Sequence, residues 1–463
     1  MSGYRLRTHH GQENRLTPSA QVAQATSPRP WAAGGARGEG GGGANASGSG
    51  TAEARRRASA AAETFENVYN LVREHYVDPL PSATRMSQGT VRGMIAALND
   101  PNSYFLEPAE MRVFDAEADG RFAGVGAVTA LRSVKKDGVT EHKIAVVAPL
   151  PGSPAEHAGL KPGDVITHVD GKWILGASPL LDYNRVLKQY QAEGASEEDL
   201  DKAAESARER IRAGLGLHKA VNLLRRGTGE KRVLTVEREG AAKPLRIELT
   251  TANTKVEPVT ARTITVNGRS AAYVRVAALT QNAGDAFARA LEGLPPADGG
   301  VVLDLRGNPG GSLEAAQAID AYLSRGGPFL VETVAGGRRN TLGSPSSSRS
   351  DLPRVAVLVD RGTGSTAEAL AASLADKQNA PLLGARTFGD GLVQTLYPLS
   401  DGSGFTLTTG RMSGPRGTAW DRVGLAPRVS LPAGLTEEAV VARALDALDV
   451  PTAARTAAGR PAR

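Results

Sequence analysis

The stretch from Val355 to Lys377 limits what this chain can fold into more than any other. Val355-Ala-Val-Leu-Val359 is an unbroken apolar run, rich in valine, and reads as a strand buried on both faces. Asp360-Arg-Gly-Thr-Gly364 ends it in a tight turn, and Ser365 opens a helix that carries Leu370 and Leu374 on one side. A strand feeding a helix through so short a turn belongs to an α/β architecture. Two readings share Ser365. A hydroxyl at a strand-to-helix turn, beside backbone N–H groups with no acceptor, is what a serine nucleophile and its oxyanion hole require. Equally, Ser365-x-x-Glu368 is a capping box, in which the serine caps the helix and the glutamate reaches back.

The surrounding residues 260–430 alternate in the same manner. Strands are expected at 271–276, 301–305, 355–359, 381–383 and 405–409, and helices at 283–294, 313–323 and 365–377. That order predicts an α/β core around a largely parallel sheet. Upstream, Gly120-Arg-Phe-Ala-Gly124-Val-Gly126-Ala127 opens a β-rich module over 120–250, interrupted at 173–217 by a charged helical insertion. Residues 63–115 read as a small helical unit, with Phe65, Val68, Tyr69, Val72 and Tyr76 at helical spacing, then Val91, Met94, Ile95 and Leu98. Residues 1–60 have a disordered composition, dominated by a Gly/Ala/Ser tract, and 431–463 hold one short helix and a loose tail. The fold class is therefore multidomain α/β.

Several functions are excluded or disfavoured at this level. The chain has no cysteine, which removes disulfides, thiolate metal sites and cysteine nucleophiles. The net charge of +6 draws on Arg-rich tails and not on a basic patch interleaved with aromatics, so nucleic acid is not an expected partner. No His/Asp/Glu spacing suggests a metal site and no phosphate loop is present, so neither metal nor other cofactor is expected. There is no apolar run of about 18 residues and no N-terminal apolar core of a secretory signal.

Taken together, the motifs resemble one family. Ser153-Pro-Ala155, Ala158-Gly-Leu160 and Pro162-Gly-Asp164-Val-Ile166 resemble the core of a PDZ domain. Gly124, Val125, Gly126 and Ala127 resemble its carboxylate-binding loop, where consecutive N–H groups form a nest for a peptide terminus. Leu303-Asp-Leu-Arg306-Gly-Asn308-Pro-Gly310-Gly311 is similar to the signature of the carboxyl-terminal processing, or tail-specific, proteases of the S41 serine peptidase family. Thr387-Phe-Gly389-Asp-Gly391-Leu-Val-Gln394 and Gly424-Leu-Ala-Pro427 fit the same family, in the same order.

The resemblance implies a serine endopeptidase whose PDZ module captures protein C-terminal tails. Ser365 falls at the nucleophile position, where the family pattern Ser-Ala-Ser-Glu reads Ser365-Thr-Ala-Glu368. It implies an oxyanion hole from the N–H groups of Thr366 and Gly311, and Gln394 as the residue that orients the base. The base itself departs from the pattern. The family's Gly-Lys-Gly reads Gly389-Asp390-Gly391, twenty-five residues after Ser365, and the lysine is replaced by Asp390. An ordinary carboxylate, with a pKa of about 3.9, is a poor base toward a serine hydroxyl, and its charge repels a forming oxyanion. Two functions follow: a processing peptidase, or a catalytically impaired relative that binds protein tails as an adaptor. Asp304 and Arg306 are expected to pair and fix their turn, and Asp360 to orient the turn before Ser365. A periplasmic or envelope location is implied by the family alone, and the sequence leaves room for a homo-oligomer.

Overall fold

The computed structural model describes residues 29–30, 48–136, 139–176, 181–192, 194–346, 352–432 and 434–450. They fall into two compact units, one over residues 35–100 and one that includes everything from Pro101 onward.

The first unit consists of two helices, α1 (Gly48–His75) and α2 (Ala83–Ala96). Ser82 caps α2, its hydroxyl accepting the Arg85 N–H at 3.3 Å.

The second unit begins with strand β1 (Tyr104–Leu106) and helix α3 (Pro108–Ala118). Residues 101–115 were expected to belong to the helical unit, but the contacts group them with the larger unit from Pro101 onward. A β-rich module follows: β2 (Ala127–Lys136), β3 (Val139–Pro149), the short α4 (Pro154–His157), β4 (Val165–Val169) and β5 (Lys172–Leu175). The insertion is a helical pair, α5 (Leu181–Gln191) and α6 (Glu197–Ala213). The module ends with α7 (Leu217–Leu224), β6 (Lys231–Glu237) and β7 (Leu245–Thr250). Its sheet runs β7-β6-β4-β3-β2, so β2 is an edge strand. Its core includes Ile144, Val146, Ile166, Leu224, Leu234 and Val236.

The α/β core carries β8 (Val259–Val266), β9 (Arg269–Val276), α8 (Ala283–Glu292), β10 (Val301–Asp304) and α9 (Leu313–Leu323). After it come β11 (Gly327–Val334), β12 (Arg339–Ser344), β13 (Val355–Val359) and α10 (Thr366–Gln378). Strands β14 (Leu382–Gly384), β15 (Leu392–Pro398), β16 (Gly404–Ser413) and β17 (Val429–Ser430) precede α11 (Glu437–Asp449). The main sheet runs β8-β9-β10-β13-β14-β17, parallel from β9 onward. The second is antiparallel, with β15, β16, β11 and β12 in that order and β1 alongside β16.

The apolar run of β13 shows why it had to be central. Val355, Val357 and Val359 face the α8–α10 side, packed with Leu303, Phe287 and Leu370. Ala356 and Leu358 face the other side, against Val440, Val441 and Leu445 of α11. Period-two alternation with both faces apolar is the signature of a strand covered on both sides. Parallel pairing of Val301 with Val355 and Asp304 with Leu358 brings the carboxyl ends of β10 and β13 level. The loops that leave them emerge side by side, where open α/β sheets place their ligand sites.

Candidate active site

Ser365 is the first residue after the β13 turn, and its backbone is held at φ 52° and ψ −122°. A non-glycine residue there carries strain of about 1–3 kcal/mol and persists only where its surroundings fix it. Glu368 supplies much of that fixing. Its carboxylate, fully buried, accepts the Ser365 N–H at 3.0 Å. It also accepts the Gly389 N–H at 2.8 Å, the Asp390 N–H at 2.8 Å and the Thr387 hydroxyl. One side chain therefore ties the Ser365 turn to the loop that carries Asp390. Burial pushes its pKa up to about 8; the bonds from Thr387, Asp390 and Gly389 pull the other way.

The loop after β10 packs against this turn. The Gly364 N–H donates to the Asn308 carbonyl at 2.9 Å, and the buried Asn308 side chain accepts the Gly310 N–H at 2.9 Å. Gly310 has φ 96°, and a Cβ there would stand 2.9 Å from Ser365 Cβ, so only glycine allows the approach. Asp304 and Arg306 do pair, the Arg306 guanidinium donating at 2.9 and 2.6 Å. Asp360 accepts the Gly307 and Gly362 N–H groups at 2.8 and 2.9 Å, joining the two loops. Of the two expected oxyanion donors, the Thr366 N–H is the first of helix α10 and has no acceptor within the helix. The Gly311 N–H donates to the Thr366 hydroxyl at 2.8 Å, so that hydroxyl has to rotate away before both donors can face one oxyanion.

Asp390 is partly buried between β14 and β15. Burial pushes its pKa up to about 6; the Leu392 N–H and the Arg132 charge oppose this, and the Asp421 carboxylate adds to it. Gln394 donates to the Thr408 hydroxyl at 2.8 Å, while its Oε1 is buried with no hydrogen-bond partner. A buried acceptor left unpaired costs about 1–3 kcal/mol.

Two neighbours of the site, Arg132 and Asp421, went unread in the sequence. Arg132, on β2, donates to the Phe388 carbonyl and lies 3.8 Å above the Phe388 ring. Desolvation lowers its pKa, while Asp390, Glu368 and Asp421 favour its charge. The apolar contact between Ala145, Val147 and Phe388 accompanies it. Asp421 stands beside Gly391, and Glu368 proved to be far more than the second half of a cap. The Ser-x-x-Glu spacing announced Glu368, but its bonds to residues 387, 389 and 390 could not be read from spacing. At the other expected site, the Gly124 and Val125 N–H groups donate to the carbonyls of Gly227 and Leu224, at 3.2 and 2.8 Å. Gly126 and Ala127 lead directly into edge strand β2. Gly124 lies so close to the end of α7 that a Cβ would sit 2.2 Å from the Leu224 carbonyl oxygen.

An α/β core with a strained serine at a strand-to-helix turn, joined to a PDZ-type sheet, defines a class of serine peptidase scaffold. Residues 270–431 match the model for peptidase family S41 and residues 146–192 the model for a PDZ domain. The chloroplastic C-terminal processing peptidase of Tetradesmus obliquus is 30% identical over 78% of this chain and 71% of its own. The carboxyl-terminal-processing protease of Synechocystis is 30% identical over 79% and 76%. Carboxy-terminal processing protease CtpB of Bacillus subtilis is 27% identical over 80% and 68%. The solved photosystem II D1 C-terminal processing protease superposes with a TM-score of 0.56 at 28% identity, covering 79% of this chain and 87% of that one. The chain belongs to the S41 peptidase family, among the carboxyl-terminal processing proteases, and carries a PDZ domain.

Proposed function

We propose that the protein is a serine endopeptidase that cleaves protein substrates presented by their C-terminal tails, with Ser365 as nucleophile. The observation that carries this reading is the strained Ser365 backbone, held in place by Glu368. Strain of this kind is retained where a reacting atom must be exposed. Ser365 Oγ attacks the peptide carbonyl, and the oxyanion is received by the N–H of Thr366 and, once released, that of Gly311. Asp390 takes the place of the proton acceptor. Its raised pKa makes it a better base than an ordinary carboxylate, though its charge opposes the oxyanion where a protonated lysine would support it. Turnover by this arrangement is slow and rises with pH through about 6, as Asp390 loses its proton. Gly124, Val125, Gly126 and Ala127 with edge strand β2 serve as the tail-binding side, opened when the loop releases the end of α7. An envelope location goes with this reading, on the family resemblance.

The unpaired Gln394 Oε1 favours a second reading, a tail-binding relative whose hydrolytic site has decayed. The two separate on one comparison: cleavage of an unstructured protein by the parent, Ser365→Ala and Asp390→Lys. Slow cleavage by the parent that vanishes in Ser365→Ala and increases about 100-fold in Asp390→Lys supports the peptidase. No Ser365-dependent cleavage in the parent, with tail-peptide binding intact, supports the adaptor.

A further inference from the structure

The loop after β10 brings two glycine amides up to the Ser365 turn, and both are already engaged. The Gly310 N–H donates to the side chain of Asn308 at 2.9 Å, and that side chain is anchored in turn, its own amide donating to the Val276 carbonyl at 2.9 Å. The Gly311 N–H donates to the Thr366 hydroxyl oxygen at 2.8 Å, and the same hydroxyl donates back to the Gly311 carbonyl at 3.2 Å. Thr366 thus closes a ring of two hydrogen bonds on one glycine, and it is fully buried. The glycine cannot yield. The Leu279 N–H donates to the Gly310 carbonyl at 3.1 Å, and the Leu279 carbonyl accepts the Ser312 N–H at 2.6 Å. A Cβ on Gly311 would collide with that same carbonyl oxygen. What can move is the threonine side chain, through one torsion. Rotation about Cα–Cβ turns the hydroxyl, the methyl or the hydrogen toward Gly311, and only the hydrogen leaves the N–H open. A β-branched side chain in a helix has few rotamers to choose from, so the opening is restricted.

We infer that Thr366 is a built-in lock on the site: its hydroxyl oxygen holds the place of the substrate oxyanion at the Gly311 N–H, and its release limits how fast Ser365 reacts. This rests on the reading of Ser365 as nucleophile and adds to it a control of the resting site. A hydroxyl oxygen accepts an N–H as an oxyanion does, but without the charge that makes the second bond the stronger. The oxyanion therefore wins the exchange, and the threonine bond is what each reaction has to break first. The family pattern carries alanine at this place, which has no hydroxyl to offer, so the lock belongs to the threonine of this chain. Thr366 acts through the Gly311 N–H and is a positioning residue.

Fluorophosphonate labelling of Ser365 in the full-length chain tests this, in the parent and in the Asp390→Lys background. Thr366→Ala removes the hydroxyl and should speed labelling about 10-fold, the worth of one ordinary hydrogen bond. Thr366→Ser keeps the hydroxyl on an unbranched stem and should stay closer to the parent. A loosened fold would not speed labelling, so a gain separates a lock from mere packing. Amide exchange at Gly311, followed by fragmentation mass spectrometry, reads the same contact without chemistry. It should quicken about 10-fold in Thr366→Ala and little in Thr366→Ser. If Asp390→Lys labels and adding Thr366→Ala makes it no faster, the lock is overturned while Ser365 remains the nucleophile. If no variant labels but Gly311 exchange quickens as expected, the nucleophile reading fails and the hold of Thr366 on Gly311 is upheld. Unchanged exchange in Thr366→Ala overturns the inference by itself.

Discussion

The two ends of helix α10 solve the problem of a buried carboxylate in opposite ways. At the C-terminal end, Asp320 is fully buried and receives the Lys377 ammonium together with the hydroxyls of Ser344 at 2.6 Å, Ser373 at 2.8 Å and Ser324 at 3.3 Å. At the N-terminal end, Glu368 is also fully buried, but its donors are three backbone N–H groups and the Thr387 hydroxyl. Asp390 and Asp421 stand nearby, and Arg132, one of the cations that face them, comes from the PDZ sheet. Lys377 is the single lysine between residues 260 and 430. It sits about 18 Å from Ser365 along the helix, locked into structure. A paired lysine stabilises one end, while the carboxylates at the Ser365 end face arginines alone among the described residues: Arg132, and Arg411 and Arg422 beside Asp421.

Breaking the stable end should have the largest effect. Lys377→Met removes the only cation, among the described residues, that pairs with a buried aspartate whose other partners are neutral hydroxyls. The uncompensated charge should cost about 3–5 kcal/mol in denaturant unfolding, and adding Asp320→Asn should restore part of it. A loss no greater than that of a surface lysine would mean that the pair contributes nothing, and the contrast between the helix ends would fail.

The contrast was half legible in the sequence. The valine-rich run, its Gly turn and the Ser365 helix were readable because periodicity and turn chemistry are local signals, and the structure places strand β13 and helix α10 within a residue of expectation. That an aspartate stands at 390, where the resemblance expects a lysine, was equally plain in the sequence. Arg132 was not readable: it lies more than two hundred residues from Phe388, and no local pattern marks a side chain that crosses between sheets. The Asp320 network failed to register for the same reason, its partners lying on α9, β12 and α10. Strand β12 escaped because its mixed polar sequence gives no clean alternation, and it is mostly exposed.

At the functional end, Glu368→Gln isolates what the carboxylate does for the serine. Four donors point at it, and an amide would turn an NH2 toward at least one of them. The expected cost is about 1–3 kcal/mol of stability, accompanied by loss of fluorophosphonate labelling at Ser365. Labelling that persists at the parent rate would show that Ser365 holds its geometry without Glu368.

The smallest effect separates charge from shape at Asp390. Its pKa is raised to about 6 in the folded chain, against about 3.9 when unfolded. The protonated form is therefore favoured by folding. This contribution is fully present below the unfolded value and is lost as pH rises from about 4 through 6, leaving the native state burdened by the charge at pH 8. Asparagine keeps the acceptor for the Leu392 N–H and carries no charge. Because the side chain is only partly buried, solvent screening reduces the benefit, and Asp390→Asn should stabilise by about 1 kcal/mol at pH 8 and by almost nothing at pH 4. Unfolding curves at the two pH values decide the matter. Equal stabilisation at both would mean that the gain comes from shape, and the Asp390 carboxylate would then not be the proton-hungry group that separates this end of the helix from the other.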